Sequence, residues 1–278
     1  MTRFPSYDGP VLSYESVGSG PPLLCWPGGP GRAAAYLEDL AGLSALRTLV
    51  LLDPRAVGRS EVPADPSTLR FDRLALDVEA AREHLGLEQL VLLGHSAGTI
   101  VAQAWAAQHP DRVGKLVLLT PSDALQGGTR ADVPAIRDSR SEEPWYAEAA
   151  EAQQELEDAP PSQKASLERA TRPFFYGRWD ERTQAHAASA DTQSSKRAML
   201  GFAGDVDGPA LLAGLAQVSA PVLVVGGDLD ALTGVESVHT VAASFSNGRA
   251  VVVPGAGHFP WVDEPDEFLS VLRPFLEA

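Results

Sequence analysis

QLVLLGHSAGTIVAQAWAAQHP, residues 89–110, is the stretch on which the fold turns. It opens as an unbroken apolar run, passes through a turn bounded by Gly94 and Gly98, and continues as an alanine-rich segment closed by Pro110. An apolar run of this length between turn signals reads as a strand buried on both faces, and the segment after it as a helix. The pentapeptide GHSAG fits G-x-S-x-G, and its position between strand and helix is what gives it meaning. In that setting the turn is sharp enough to lift Ser96 clear of the sheet, while the flanking glycines let strand and helix approach closely.

Outward from this unit the same rhythm recurs. VLSYESV (11–17) mixes apolar and polar residues as a half-exposed strand does, and PLLCW (22–26) and LRTLVLLDPR (46–55) are buried runs. FDRLALDVEAAREHLGL (71–87) carries Leu74, Val78, Ala81 and Leu85 at helical spacing, with Gly86 near its end. KLVLLTPS (115–122), APVLVVGGDLD (220–230) and RAVVVPGAGH (249–258) read as further strands, with helices over 234–244 and 265–276. Short apolar strands alternating with helices predict an α/β fold, a mostly parallel sheet with helices on both faces. The rhythm breaks over 123–205, which is rich in Glu, Ala, Gln and Ser and holds no strand-like run. Helical pieces are expected at 144–158, 163–171 and 178–200. The expected organisation is a core of residues 1–122 and 206–278 and an inserted helical cap, 123–205, over the C-terminal ends of the strands, where open α/β sheets bind ligands.

Bulk composition narrows the classes. The chain has 278 residues, 44% of them hydrophobic, enough for one sizeable core. No run approaches the ~18 apolar residues of a membrane span, and MTRFPSYDG lacks the basic start and apolar stretch of a secretory leader. A single cysteine, Cys25 in an apolar run, excludes an internal disulfide framework and reads as a buried structural thiol. These features lead to a cytoplasmic expectation. A net charge of −15 without a lysine–arginine run argues against nucleic acid or an anionic membrane as partner. The expected partner is a short peptide or small molecule, and oligomeric state is left open.

A serine hydroxyl needs a general base oriented by an acid. Of six histidines, His84 and His109 fall at helix ends, His186 and His239 within helical stretches. His95 adjoins Ser96 but points elsewhere from the turn. His258, on a glycine-lined loop just past an apolar strand, is the expected base. VLVVGGDLDAL supplies Asp228 and Asp230 after the preceding strand, giving the chain order Ser…Asp…His. A tetrahedral oxyanion needs two donors. One is the N–H of Ala97, and the other must come from a loop after an early strand, for which WPGGPG (26–31) is the candidate. A phosphate-cradle reading of that loop fails because it lacks G-x-G-x-x-G and Pro30 removes a donor.

WPGGPG, GHSAG, and GDLD followed by GAGH, in that order, resemble the α/β-hydrolase superfamily over almost the whole chain outside the insertion. GGPG (28–31) and DPRAVGRS (53–60) are similar to the proline iminopeptidase group. The resemblance implies Gly29 as the second oxyanion donor, and its G-E-x-D pattern selects Asp230 as the acid, with Asp228 as alternative. It implies a serine hydrolase removing an N-terminal proline or similar small residue from short peptides, with cap glutamates holding the free amine and no metal or other cofactor. The cap candidates are Glu142, Glu143 and Glu148 with the aromatics Trp145 and Tyr146 in one stretch, and Asp180 or Glu181 with Phe174, Phe175, Tyr176 and Trp179 in another. The chain departs from the group at Pro27, where a histidine is usual, at Pro54 and Ala56, and at Ala97, where a tryptophan is usual. GHSAG is commoner among esterases, lactonases and C–C bond hydrolases of the same fold, so a small-molecule hydrolase is the alternative.

Overall fold

The computed structural model describes residues 1–204 and 207–278. Eight strands, β1 (Thr2–Pro5), β2 (Val11–Val17), β3 (Pro22–Trp26), β4 (Thr48–Asp53), β5 (Leu90–His95), β6 (Val113–Leu119), β7 (Val222–Gly227) and β8 (Gly248–Val253), form one sheet. Their order is β1-β2-β4-β3-β5-β6-β7-β8. β2 runs antiparallel to both β1 and β4, and every other pair is parallel.

The apolar runs are continuous because both faces of the sheet are covered. Successive residues of a strand point to opposite sides. Leu24, Leu92, Leu116, Leu118, Val222 and Val224 enter one core, with α1 (Phe71–His84) and α2 (Ala97–Gln108). Their neighbours Leu23, Cys25, Leu93, Val117, Leu223 and Val225 enter the other, which the C-terminal helix closes with Phe268, Leu272 and Leu276. β1 escapes a pattern reading: it is a four-residue edge strand that buries only Phe4.

Between β6 and β7 the described residues contain helices and no named strand. These are α3 (Val133–Asp138), α4 (Tyr146–Leu156), α5 (Pro161–Ala170), α6 (Glu181–Ala188), α7 (Ala190–Gln193), α8 (Lys196–Gly201) and α9 (Gly208–Ala216). The last of these packs against α2 as part of the core. The expected boundary between residues 205 and 206 lies outside the described residues. The helical stretch expected over 178–200 is three short helices, and the second break has a cause. At the second break the Ala33 N–H donates to the Gln193 carbonyl (2.9 Å) and the Ser195 N–H to that of Gly31 (2.8 Å). The chain leaves the helix there to dock on the glycine loop after β3. After β7 come α10 (Glu236–Ala243), then past β8 α11 (Pro260–Asp263) and α12 (Pro265–Glu277). Among the described residues no helix is long and apolar enough to cross a membrane.

Candidate active site

Four loops meet beyond the C-terminal ends of β3, β5, β7 and β8, the edge at which open α/β sheets bind ligands. Ser96 occupies the tight turn between β5 and α2 at φ 53°, ψ −124°, a backbone conformation costly for a residue with a side chain. Its N–H donates to the Leu119 carbonyl at 2.9 Å, tying the turn to β6. A Cβ at Gly98 would lie 2.4 Å from the Pro27 carbonyl oxygen, so the helix start can meet the glycine loop only without a side chain there.

His258 follows β8, and its Nδ1 lies 2.8 Å from Asp230 Oδ2. Asp230 is fully buried. Its Oδ2 also accepts the Thr233 hydroxyl (2.7 Å), and its Oδ1 accepts the N–H groups of Leu232 (2.9 Å) and Thr233 (3.1 Å). Burial would raise its pKa, but His258 and these donors prevail and hold the carboxyl below the usual range. An ionised acid therefore faces Nδ1, which fixes the proton there and leaves Nε2 as the basic nitrogen. Asp228 is exposed and accepts the Gly255 N–H (2.7 Å), bracing the loop that carries the histidine rather than the histidine itself.

The glycine loop packs directly on the elbow. A Cβ at Gly28 would fall 2.8 Å from the Cβ of Ser96 and 2.7 Å from the His95 carbonyl oxygen. The Gly28 N–H is spent on the Tyr36 hydroxyl (2.7 Å). Among the described residues the N–H groups of Gly29 and of Ala97, the first residue of α2, have no partner. Tyr36 in turn approaches His95 Nδ1 (2.6 Å), and His95 Nε2 lies 3.0 Å from the His258 carbonyl. Burial holds the His95 imidazole neutral, its pKa well below the usual value. The partners then assign Nε2–H to the carbonyl and the Tyr36 O–H to Nδ1. This chain of bonds joins the glycine loop, the elbow and the His258 loop. It supplies bracing that Pro27, lacking both an N–H and a polar side chain, cannot.

A cavity of about 520 Å³ opens over Ser96 and His258. Gly29, Arg32, Tyr36 and Phe259 line it from the core, and Arg137, Glu168, Thr171, Phe175 and Tyr176 from the helices between β6 and β7. Of the expected cap residues, the aromatics Phe175 and Tyr176 are on its wall, whereas Glu142, Glu143, Trp145, Glu148, Trp179, Asp180 and Glu181 are not, which corrects the amine-site expectation at those positions. Glu142, Glu148 and Glu181 are exposed, as is Asp180, which caps α6. Glu143 pairs with Arg140 (3.3 Å), whose guanidinium also lies over Trp145 (4.9 Å to the ring centre). Trp179 packs on the Tyr176 ring, 5.6 Å between centres. Arg32, Tyr36 and Arg137 went unread in the sequence. Only Arg32 carries a signal, since it directly follows the glycine loop.

Asp263, in α11, holds the His258 loop from behind. Its Oδ2 accepts the N–H groups of Gly257 (2.8 Å) and Gly177 (2.9 Å). Burial pushes its carboxyl up to about 6 despite those donors. A folded-state pKa above the ordinary value favours the protonated fold. The contribution is therefore fully present below about pH 4 and is lost as pH rises through about 6. Asp263→Asn should remove this dependence. In denaturant unfolding between pH 4 and pH 7, the wild type should lose about 2–3 kcal/mol relative to the variant. Parallel curves would show that Asp263 does not titrate in that range.

Residues 21–265 match the family of the alpha/beta hydrolase fold. The chain belongs to that family. It is 24% identical over 279 residues to a proline iminopeptidase of Heyndrickxia coagulans, covering 95% of this chain and 93% of that protein. Among solved structures, a putative aryl esterase from Burkholderia cenocepacia superposes with a TM-score of 0.75 at 22% identity, covering 99% of this chain and 97% of the other. Proline iminopeptidase of Mycobacterium smegmatis gives 0.74 at 22% identity with the same coverage. Peptidase and esterase relatives thus share this α/β-hydrolase architecture equally well, and the likeness to the solved structures speaks for the fold alone.

Proposed function

We propose that the chain is a serine hydrolase that cleaves small carboxylic esters or lactones through an acyl-enzyme, with Ser96, His258 and Asp230 as its triad. The observation that carries this reading is the shared cavity: Ser96 and His258 both line it, and the far nitrogen of His258 is bonded to a buried carboxylate. In the first step the Ser96 hydroxyl proton passes to His258 Nε2 as Oγ attacks the carbonyl carbon. The N–H groups of Gly29 and Ala97 receive the developing oxyanion, and the imidazolium returns its proton to the departing alkoxide. Water activated by the same nitrogen then attacks the acyl-enzyme and regenerates Ser96. The helices within 123–205 act as the cap that closes the site. A cavity of about 520 Å³ suits a small molecule and leaves little room for a folded polypeptide. Cytoplasmic action is part of this reading, supported by the one buried thiol.

A second reading, release of an N-terminal proline or similar residue, is favoured by the full-length similarity to a proline iminopeptidase. It requires a carboxylate for the buried ammonium. The acidic residues on the wall are Glu168, which is exposed, and Asp191, which is already paired with Arg169 and Arg172. Rates with short acyl p-nitrophenyl esters and with prolyl and alanyl naphthylamides separate the two. We expect turnover of the esters and none of the prolyl amide; preferential cleavage of the prolyl amide would reverse the order.

A further inference from the structure

The cavity wall carries a buried cation with no acid beside it among the described residues. Arg32 is 7% exposed and forms no ion pair with any described residue. Its Nε–H donates to Gln193 Oε1 (3.3 Å), and Nη2 donates to the His186 carbonyl (3.2 Å) and to Ser189 Oγ (2.8 Å). The Tyr36 ring lies under the guanidinium, 4.1 Å from centre to carbon. Nη1, with its two N–H groups, has no partner among the described residues.

The contrast with Arg55 is instructive. Arg55 is also buried, but it is clasped by two carboxylates, Asp77 (2.6 Å) and Asp8 (2.7 Å), as a buried guanidinium ordinarily must be. Across the cavity Arg137 likewise lacks an acid among the described residues; its Nη2 reaches only the Ala231 carbonyl (3.2 Å). A chain with a net charge of −15 has acids to spare, yet among the described residues none is set beside these two cations.

We propose that Arg32 anchors a carboxylate carried by the substrate, so that the enzyme acts on small esters bearing a free carboxylate. The proposal rests on the hydrolase reading above. Three of the five guanidinium N–H groups are held by α6, by α7 and by Ser189 between them, so the side chain is oriented before substrate arrives, and the open Nη1 supplies charge-assisted bonds at little ordering cost. Arg32 stands three residues beyond Gly29 and lines the same cavity as Ser96, so an anchored carboxylate and a scissile carbonyl on one small molecule share that space.

Two matched pairs test this: monomethyl adipate against methyl hexanoate, with the charge on the acyl side, and 3-acetoxybenzoate against phenyl acetate, with it on the leaving group. In at least one pair the wild type should favour the charged ester roughly 10–100-fold in kcat/KM, through a lower KM. Arg32→Gln should bring the charged-to-neutral ratio of kcat/KM close to one, whatever its effect on neutral-ester turnover. Arg32→Lys, which keeps the charge and loses the three-point brace, should retain part of the preference. A wild type that favours neither charged ester overturns the proposal, as does an Arg32→Gln that slows charged and neutral esters in equal proportion and so keeps the wild-type ratio, which is what a brace alone would do. Labelling by a fluorophosphonate reports the hydrolase reading separately. Ser96 labelled without charge preference sinks only the anchor; Ser96 unlabelled with every ester intact sinks the triad as well.

Discussion

Ser96→Ala is expected to lower kcat on any ester the protein cleaves by about 10⁴–10⁶-fold and to abolish labelling by a fluorophosphonate. The size follows from the arrangement. Without Oγ there is no nucleophile for His258 to activate, and what survives is the cavity and the two free N–H groups at Gly29 and Ala97, acting on a water with no fixed place. The fold should not suffer, because Ser96 Oγ makes no hydrogen bond with any described residue, while the backbone bond to Leu119 remains. The backbone at Ser96 provides an internal check. At φ 53° any residue with a Cβ is held against its preference, at a cost of about 1–3 kcal/mol. Ser96→Gly relieves that strain, though glycine recovers entropy in the unfolded chain. Of the two inactive variants, Ser96→Gly should therefore be the more stable, by about 1 kcal/mol in denaturant unfolding. An active Ser96→Ala would end the triad reading.

The sheet was legible because its central strands are buried on both faces and therefore spelled in unbroken apolar runs. β1 was not, since a single buried phenylalanine makes no pattern. Ser96 and His258 could be read because each sits at a glycine-marked turn directly after such a run. Asp228 and Asp230 stood on one turn; motif resemblance favoured Asp230, and the physical difference between them lies in the fold of that turn. There the Asp230 N–H bonds back to the Gly227 carbonyl and the Leu229 N–H to Ala256, so Asp230 turns inward and Asp228 outward. Apart from Phe175 and Tyr176, the cavity wall was beyond reach for a different reason. Arg32 meets Ser189 across 157 positions of sequence, and Tyr36 meets His95 across 59. Side chains brought together over such separations leave no local periodicity. Pro27 shows the same limit. Where the proline iminopeptidase group has a histidine this chain has none, and Tyr36 and His95 brace the loop from elsewhere in the chain.

Asp230→Asn should lower kcat by about 10³–10⁴-fold while the isosteric Asp228→Asn stays within a few-fold of wild type. Four donors converge on the Asp230 carboxylate: His258 Nδ1–H, the Thr233 hydroxyl, and the N–H groups of Leu232 and Thr233. An asparagine offers one oxygen and one NH₂ where two acceptors are needed. Its oxygen is drawn to the two backbone N–H groups, which cannot turn away, and the NH₂ then faces His258. The imidazole answers by accepting at Nδ1 and carrying its proton on Nε2, the nitrogen that has to take the proton of Ser96. The base is thus disabled with its geometry intact, and the stability loss should be only about 1–3 kcal/mol, that of a buried bond exchanged. At Asp228 the single N–H of Gly255 is satisfied equally well by an amide oxygen at an exposed position, so nothing propagates to His258. Stopped-flow acylation of the two variants with one ester decides the matter: equal rates, or the larger loss at Asp228, would place the acid of the triad elsewhere.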